Sequence, residues 1–214
     1  MVKIAVAPEN HLSQNDPRWA SIDLDGKAGG RTIGQWGCLG VAYNILARHW
    51  GLTSMLPHQF LKEMQSKGVQ AGDYVAVGAL IAMFPQGVTY HGYTSRANPR
   101  MREKLREYLD EGIPVIGRVD FRPNTALLDQ HWVLVIGENN NDELLAIDPW
   151  SGQEINVNHA YGIAGSDVLE ILLYRPTMSH TNLHIRTTEP SITDVLQLLQ
   201  HAMELLEEIH ATKS

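Results

Sequence analysis

The sequence contains a single cysteine, and this scarcity excludes several classes of site. With only Cys38 available, the chain can form no internal disulfide and no cysteine-rich zinc site. No stretch approaches the roughly 20 apolar residues that a transmembrane helix requires. Residues 1–10 also lack the apolar run of a secretory signal. We therefore expect a soluble chain without a membrane span, either cytoplasmic or part of a larger exported or phage-borne protein.

Positive charge is scarce as well. The 214-residue chain carries a formal net charge of -7, which disfavours attraction to nucleic acid or to anionic membranes. Basic residues cluster between Arg96 and Arg106, but acidic residues interrupt the cluster, as on a solvated helix face. The ten histidines show no shared metal-ligand spacing. We predict no nucleic-acid partner, no metal site and no cofactor.

Helix signals occupy the first half of the chain. Residues 11–37 are rich in Gly, Asn, Asp and Pro, which predicts an ordered loop. From Cys38 onward, apolar residues recur at helical spacing until Gly51, which is typical of a helix stop. Three further helices are predicted, over residues 57–67, 75–84 and 99–111.

Strand signals follow in the second half. Short apolar runs rich in β-branched residues predict four strands, over residues 114–119, 132–137, 143–147 and 168–174. The segment Asn139-Asn140-Asn141-Asp142 is a strong hairpin-turn signal, so the second and third of these strands are expected to pair. Helices followed by antiparallel strands indicate an α+β fold.

The tail has a different character. We predict one domain over residues 1–178, a linker over 179–190 and an amphipathic C-terminal helix over 191–214. Apolar residues in this helix are spaced three and four apart. Two interpretations stay open: the helix packs on its own domain, or it pairs with a second copy to form a homo-oligomer.

Cys38 is the first candidate for chemistry. A lone cysteine is most often a small buried residue. Here, however, the Gly-rich segment 32–37 delivers Cys38 to the start of a predicted helix, where the helix dipole favours the reactive thiolate. Gly37 directly before it allows backbone and substrate to approach closely. We interpret Cys38 as a candidate nucleophile.

His131 and Asp148 complete the pattern. His131 opens one strand of the predicted hairpin and Asp148 ends the other, so the imidazole and the carboxylate are expected to meet. In a catalytic triad, a base activates the nucleophile and a third group orients the base. Cys38, His131 and Asp148 are residue types that fill these three roles. Each residue also has a simpler interpretation when it is considered alone. The histidine could do no more than cap a strand, and the Asp-Pro pair no more than form a turn.

Four motifs support this interpretation, and they lie at residues 14–20, 32–38, 131–137 and 146–152. In this order they resemble the motifs of papain-like cysteine peptidases, and in particular the branch of double-glycine leader peptidases that process bacteriocin precursors. The resemblance covers roughly residues 11 to 175. It implies an N-terminal helical part packed on an antiparallel sheet. It further implies Cys38 as nucleophile, His131 as general base and acid, and Asp148 as the residue that orients His131.

The chain departs from that family at the oxyanion position. Leader-processing members carry a glutamine six residues before the cysteine, and Thr32 occupies this position here. Gln14 and Gln35 are the two candidates to replace it, and the backbone N–H of Cys38 is expected to supply the second donor. Removing one such donor typically costs on the order of 100- to 1000-fold in rate.

Three functions remain open at this point. The first is a cysteine hydrolase that cleaves a peptide or a peptidoglycan-like amide through a thioester. The second is a degenerate binding module that keeps the fold without the activity. The third is an acyl transferase that uses the same three residues but passes the acyl group to an amine.

Overall fold

The computed structural model describes residues 2–24, 30–123, 129–162 and 168–177. The helices are α1 (Ile33–Trp36), α2 (Cys38–His49), α3 (Pro57–Ser66), α4 (Ala79–Met83), α5 (Met101–Asp110) and α6 (Val157–Tyr161). The strands are β1 (Val2–Lys3), β2 (Gln70–Ala71), β3 (Tyr74–Val75), β4 (Val88–Ser95), β5 (Val115–Asp120), β6 (Gln130–Glu138), β7 (Leu144–Asp148), β8 (Gln153–Asn156) and β9 (Glu170–Pro176). The predicted linker 179–190 and helix 191–214 lie outside the described residues and stay predictions.

An antiparallel sheet forms the centre of the described part of the chain. Its strand order is β4-β9-β5-β6-β7-β8, and β1 pairs with the end of β6. Strand β6 is buried from His131 to Gly137, so neighbouring elements cover both of its faces. Helix α2 packs against β6, and α5 packs against β5 and β9. Within the described ranges, no helix is long and apolar enough to cross a bilayer.

Helix α2 is the central helix of the N-terminal half. Nearly all of its side chains are buried. Its own apolar residues lie on all sides of the helix and not in one stripe, as is typical of a helix in the core. It ends where Gly51 adopts a φ of +67°, a left-handed conformation that glycine adopts without steric cost. The N–H of Leu52 donates to the carbonyl of Ala47 across this end, at 2.9 Å.

The main sequence predictions are confirmed in outline. The protein combines several helices with an antiparallel sheet, α2 begins at Cys38, and a hairpin joins β6 to β7. The side chain of Asn139 accepts hydrogen bonds from the N–H groups of Asn141 and Glu143, at 2.9 and 3.0 Å, and thereby closes the predicted turn. Local side-chain chemistry is sufficient to specify this hairpin.

Other elements differ from the predictions. Residues 33–36 lie in the predicted loop but form the short helix α1. The helix predicted over 75–84 is shorter, because Val75 belongs to the β2–β3 hairpin and only Ala79–Met83 is helical. Strands β1, β2, β3, β4 and β8 and helix α6 were not predicted. Gly92 interrupts the alternating pattern of β4, and β8 and α6 are too short and polar to give a periodic signal.

Candidate active site

Cys38 is the first residue of α2, and its side chain is partly exposed. Gly37 precedes it with no side chain to cap the helix. A Cβ atom at residue 37 would lie 2.5 Å from the carbonyl oxygen of Ile33, so the turn between α1 and α2 requires glycine. The first N–H groups of a helix have no intrahelical acceptor, which leaves the N–H of Cys38 as a candidate donor to a ligand.

His131 and Asp148 meet on neighbouring strands. Ile147 of β7 pairs with Leu134 of β6, so the next residue, Asp148, lies beside Val133. His131 is two residues from Val133 and its side chain therefore projects from the same face of the sheet. Nε2 of His131 lies 2.6 Å from Oδ1 of Asp148. Both side chains are only about 4% exposed.

The His131 ring connects the carboxylate to the sulfur. Because Asp148 engages Nε2, Nδ1 is the ring nitrogen left to interact with Cys38, which lines the same cleft as His131. Burial by itself lowers the pKa of His131, but the hydrogen bonds and negative charges of Asp148 and Cys38 outweigh it and raise this pKa to about 9. The surroundings of His131 therefore favour the protonated imidazolium over the neutral ring.

Asp148 accepts hydrogen bonds on both carboxylate oxygens. The N–H of Trp150 donates to Oδ1 at 2.9 Å, and the hydroxyl of Tyr161 donates to Oδ2 at 2.8 Å. Burial by itself raises the pKa of Asp148, but these donors and the positive charge of His131 together hold it below its usual value. The carboxylate thus stays ionised in a nearly water-free position.

Aromatic rings surround the imidazole. The ring centroids of Phe121 and Tyr161 lie 5.0 and 5.4 Å from that of His131. Trp150 packs on Phe121 with a centroid distance of 5.0 Å. These rings keep water away from the bond between His131 and Asp148, and exclusion of water strengthens an ionic hydrogen bond.

The structure separates the two oxyanion candidates. Gln14 is 1% exposed, and its Nε2 donates to the carbonyl of Gly34 at 2.7 Å. Its Oε1 has no hydrogen-bond partner. Gln35 also lines the cleft, but its side chain is exposed to solvent. A rate-enhancing donor has to be held in place before the reaction, and burial gives Gln14 this property.

The segment around Gln14 connects the two halves of the site. Its backbone N–H donates to the carbonyl of Pro149 at 2.6 Å. The side chains of Ser13 and Asn15 both donate to the carbonyl of Trp150, at 2.9 Å. Gln14 is therefore bonded to the segment that precedes Cys38 and to the turn that follows Asp148.

A cleft of about 880 Å³ opens between the helical half and the sheet. Cys38, His131, Gln14 and Gln35 all line it. The other lining residues are Trp36, Leu39, Asp73, Tyr74, Val75, Val77, Phe121, Arg122, Asp129, Gln130, Trp132 and Trp150. The volume is within the range of ligand-binding clefts.

The charged residues of the cleft occur in ion pairs. Asp73 pairs with Arg31, and Asp129 pairs with Arg122 at 2.7 Å. The guanidinium of Arg31 also lies over the ring of Trp36, 4.6 Å from its centroid. Each of these two carboxylates is therefore partnered by an arginine, which offsets its charge among the described residues of the cleft.

Two residues in contact with the site were not identified from the sequence. Tyr161 lies in the unpredicted helix α6, and Phe121 follows β5. No motif or spacing distinguishes either from an ordinary core aromatic residue. Among the described residues, no three His, Cys, Asp or Glu side chains are grouped as metal ligands would be.

Comparisons with known proteins do not identify a family for this chain. No protein-family model matches the chain, and no curated protein matches it. The four sequence motifs, the pairing of His131 with Asp148 and the cleft shared by His131 and Cys38 are therefore the observations that bear on function.

Proposed function

We propose that this protein is a papain-like cysteine hydrolase that cleaves a peptide or a related amide bond through a thioester. The observation that carries the proposal is the buried pair of His131 and Asp148, 2.6 Å apart, with His131 lining the same cleft as Cys38. This cleft is large enough for a substrate. Cysteine, histidine and aspartate occur in the papain-like order, and the cysteine begins a buried helix that packs against the strand bearing the histidine.

The first half of the reaction forms the acyl-enzyme. The Cys38 thiolate attacks the amide carbonyl carbon, and the carbonyl oxygen becomes an oxyanion that the N–H of Cys38 and the free N–H of the Gln14 amide stabilise. The tetrahedral intermediate then breaks its carbon–nitrogen bond. His131 donates its proton to the departing nitrogen, so an amine leaves and a thioester on Cys38 remains.

The second half releases the acid. Neutral His131 takes a proton from water while the water oxygen attacks the thioester carbonyl carbon. The second tetrahedral intermediate breaks its carbon–sulfur bond, and Cys38 leaves as a thiolate beside the reformed imidazolium. Asp148 keeps the ring oriented and ionically partnered through both steps.

The geometry favours this function over the binding module. A degenerate site is expected to separate the sulfur from the imidazole or to fill the cleft with side chains. Here Cys38 is partly exposed, it acts electrostatically on His131, and both residues line the open cleft. The acyl transferase needs the same geometry and differs only in the acceptor of the acyl group.

The test combines cleavage with thiol reactivity. Wild-type protein and Cys38→Ala are incubated with a mixed peptide library and with peptidoglycan fragments, and mass spectrometry detects new termini. We expect products from the wild type alone. Because Cys38 is the only cysteine, iodoacetamide alkylation reports on this one sulfur, and we expect it to react faster than free cysteine near neutral pH.

Two results would contradict the proposal. Alkylation no faster than that of free cysteine, together with equal product patterns for wild type and Cys38→Ala, excludes the hydrolase. Suppression of hydrolysis by an added amine, with formation of the corresponding amide, instead identifies the acyl transferase.

A further inference from the structure

Tyr161 contacts two members of the proposed triad. It is the last residue of α6 and is 9% exposed. Its hydroxyl donates to Oδ2 of Asp148 at 2.8 Å, and its ring centroid lies 5.4 Å from that of His131. It is not among the residues that line the cleft. Its contacts are therefore with the groups that support the nucleophile.

The hydroxyl and the histidine bind different oxygens of the same carboxylate. Oδ1 accepts from His131 and from the backbone N–H of Trp150, whereas Oδ2 accepts from Tyr161. The hydroxyl of Ser151 lies 3.4 Å from Oδ2, which is a longer contact. With donors on both oxygens, the carboxylate cannot rotate without breaking a buried hydrogen bond.

We propose that Tyr161 is a positioning residue that holds Asp148 ionised and in the plane that orients His131 toward Cys38. The proposal rests on the hydrolase function stated above and extends the three-residue chain to a fourth member. The ring of Tyr161 contributes by limiting the tilt of the imidazole, and the hydroxyl contributes by fixing Oδ2.

The protonation states agree with this role. Burial, followed by the negative charge of Asp148, raises the pKa of Tyr161 far above its usual value, so the hydroxyl remains a donor. Its hydrogen bond is one of the contacts that lower the pKa of Asp148. In the described part of the chain, the titratable groups that act on this set are Cys38, His131, Asp148 and Tyr161 themselves.

The test uses Tyr161→Phe, which removes the hydroxyl and keeps the ring. The pH profile of Cys38 alkylation by iodoacetamide is measured, because it needs no knowledge of the substrate. Without the hydroxyl, the pKa of Asp148 rises and the imidazolium loses its ionic partner at a higher pH. We expect the acid limb of the profile to move to higher pH, and the rate on that limb to fall roughly 3- to 10-fold.

Tyr108→Phe is the matched control. Tyr108 is also a buried tyrosine, 4% exposed, but it lies on α5 beside Arg175 and His91. Its loss lowers stability without moving the alkylation profile. If Tyr161→Phe follows the wild-type profile, or changes it no more than Tyr108→Phe does, the positioning role is wrong.

A second variant tests the same role in case Tyr161→Phe does not fold. Replacement of Tyr161 by 3-fluorotyrosine keeps the shape and strengthens the donor, so the acid limb is expected to move to lower pH. An unchanged or opposite shift contradicts the proposal.

Nuclear magnetic resonance separates this inference from the hydrolase proposal. The titration of the His131 ring is followed in wild type and in Tyr161→Phe. If Cys38 is no more reactive than free cysteine, the proposed hydrolase function is wrong. A His131 titration altered by Tyr161→Phe would still show that the hydrogen bond from Tyr161 to Asp148 influences the charge of the histidine. A reactive Cys38 with identical titrations and profiles refutes the role of Tyr161 alone.

Discussion

The two walls of the cleft hold their functional groups in different ways. On the sheet side, His131 and Asp148 are almost completely buried, and every polar atom of the carboxylate has a donor. On the helical side, Cys38 is partly exposed, and Nε2 of Gln14 has a second N–H besides the one that it donates to Gly34. The proposed base and its orienter are therefore fixed in advance, whereas the proposed nucleophile and oxyanion donor retain capacity to interact with a substrate.

This difference predicts which substitutions act on protonation and which act on the transition state. Changes on the sheet side should move pH profiles. A change of Gln14 on the helical side should lower the rate without moving them, because it removes a contact to the substrate and leaves the titrating groups intact.

The largest effect is expected on the sheet side, from Asp148→Ala. It leaves a buried imidazole without its orienter, so kcat/KM for the cleaved peptide should fall roughly 1000-fold or more. The pKa of His131 should fall from about 9, because the hydrogen bond and charge of Asp148 contribute to raising it. Activity requires the imidazolium, so its loss on the alkaline side should begin at a lower pH in the variant.

Asp148→Asn refines that test. The amide oxygen can still accept from Nε2 of His131 but carries no charge, so its effect should lie between those of wild type and Asp148→Ala. Asp110→Asn, at an exposed aspartate of α5, is the control and should leave the profile unchanged. An alkaline limb that stays in place in Asp148→Ala contradicts the assignment of that limb to His131.

A smaller effect is expected on the helical side, from Gln14→Ala. Loss of one oxyanion donor should lower kcat on the order of 100-fold, with the pH profile and the alkylation rate of Cys38 nearly unchanged. Gln35→Ala should have much less effect, since that side chain is exposed. A larger loss in Gln35→Ala than in Gln14→Ala would reverse the assignment.

Gln70→Ala is the matched control for this comparison. Gln70 is also buried, donates from Nε2 to a glycine carbonyl and has an unpartnered Oε1, but it does not line the cleft. Comparable loss of kcat in Gln70→Ala and Gln14→Ala would show that general destabilisation, and not oxyanion binding, causes the effect.

The smallest effect concerns the turn that delivers Cys38. In Gly37→Ala, the new methyl group would meet the carbonyl oxygen of Ile33, so the free energy of unfolding should fall by about 1–3 kcal/mol. Gly78→Ala, where a Cβ meets no atom within 4 Å, should change it by about 0.5 kcal/mol or less. Urea titration measures both variants. Equal stability of the two would contradict the steric argument.

The sequence identified the parts of the site that local patterns encode. Helical spacing located the start of α2 at Cys38, and the turn at residues 139–142 located the pairing of β6 with β7, which brings His131 and Asp148 together. The catalytic roles of these residues remain predictions. Strand β4 could not be found in the same way, because the irregularity at Gly92 breaks its alternating pattern, and its partner β9 lies about 80 residues further along the chain.

By itself, the sequence determined that one sulfur, one imidazole and one carboxylate occur at the ends of local elements, since turns and periodicities act over only a few residues. Only the tertiary structure decided which other groups join them. Gln14 reaches Gly34 and Pro149, and Tyr161 reaches Asp148, through packing of separate elements that no local pattern specifies. The burial of His131 was also decided by the tertiary structure. The rings of Phe121 and Tyr161 come from separate elements, and they keep water from the bond between His131 and Asp148.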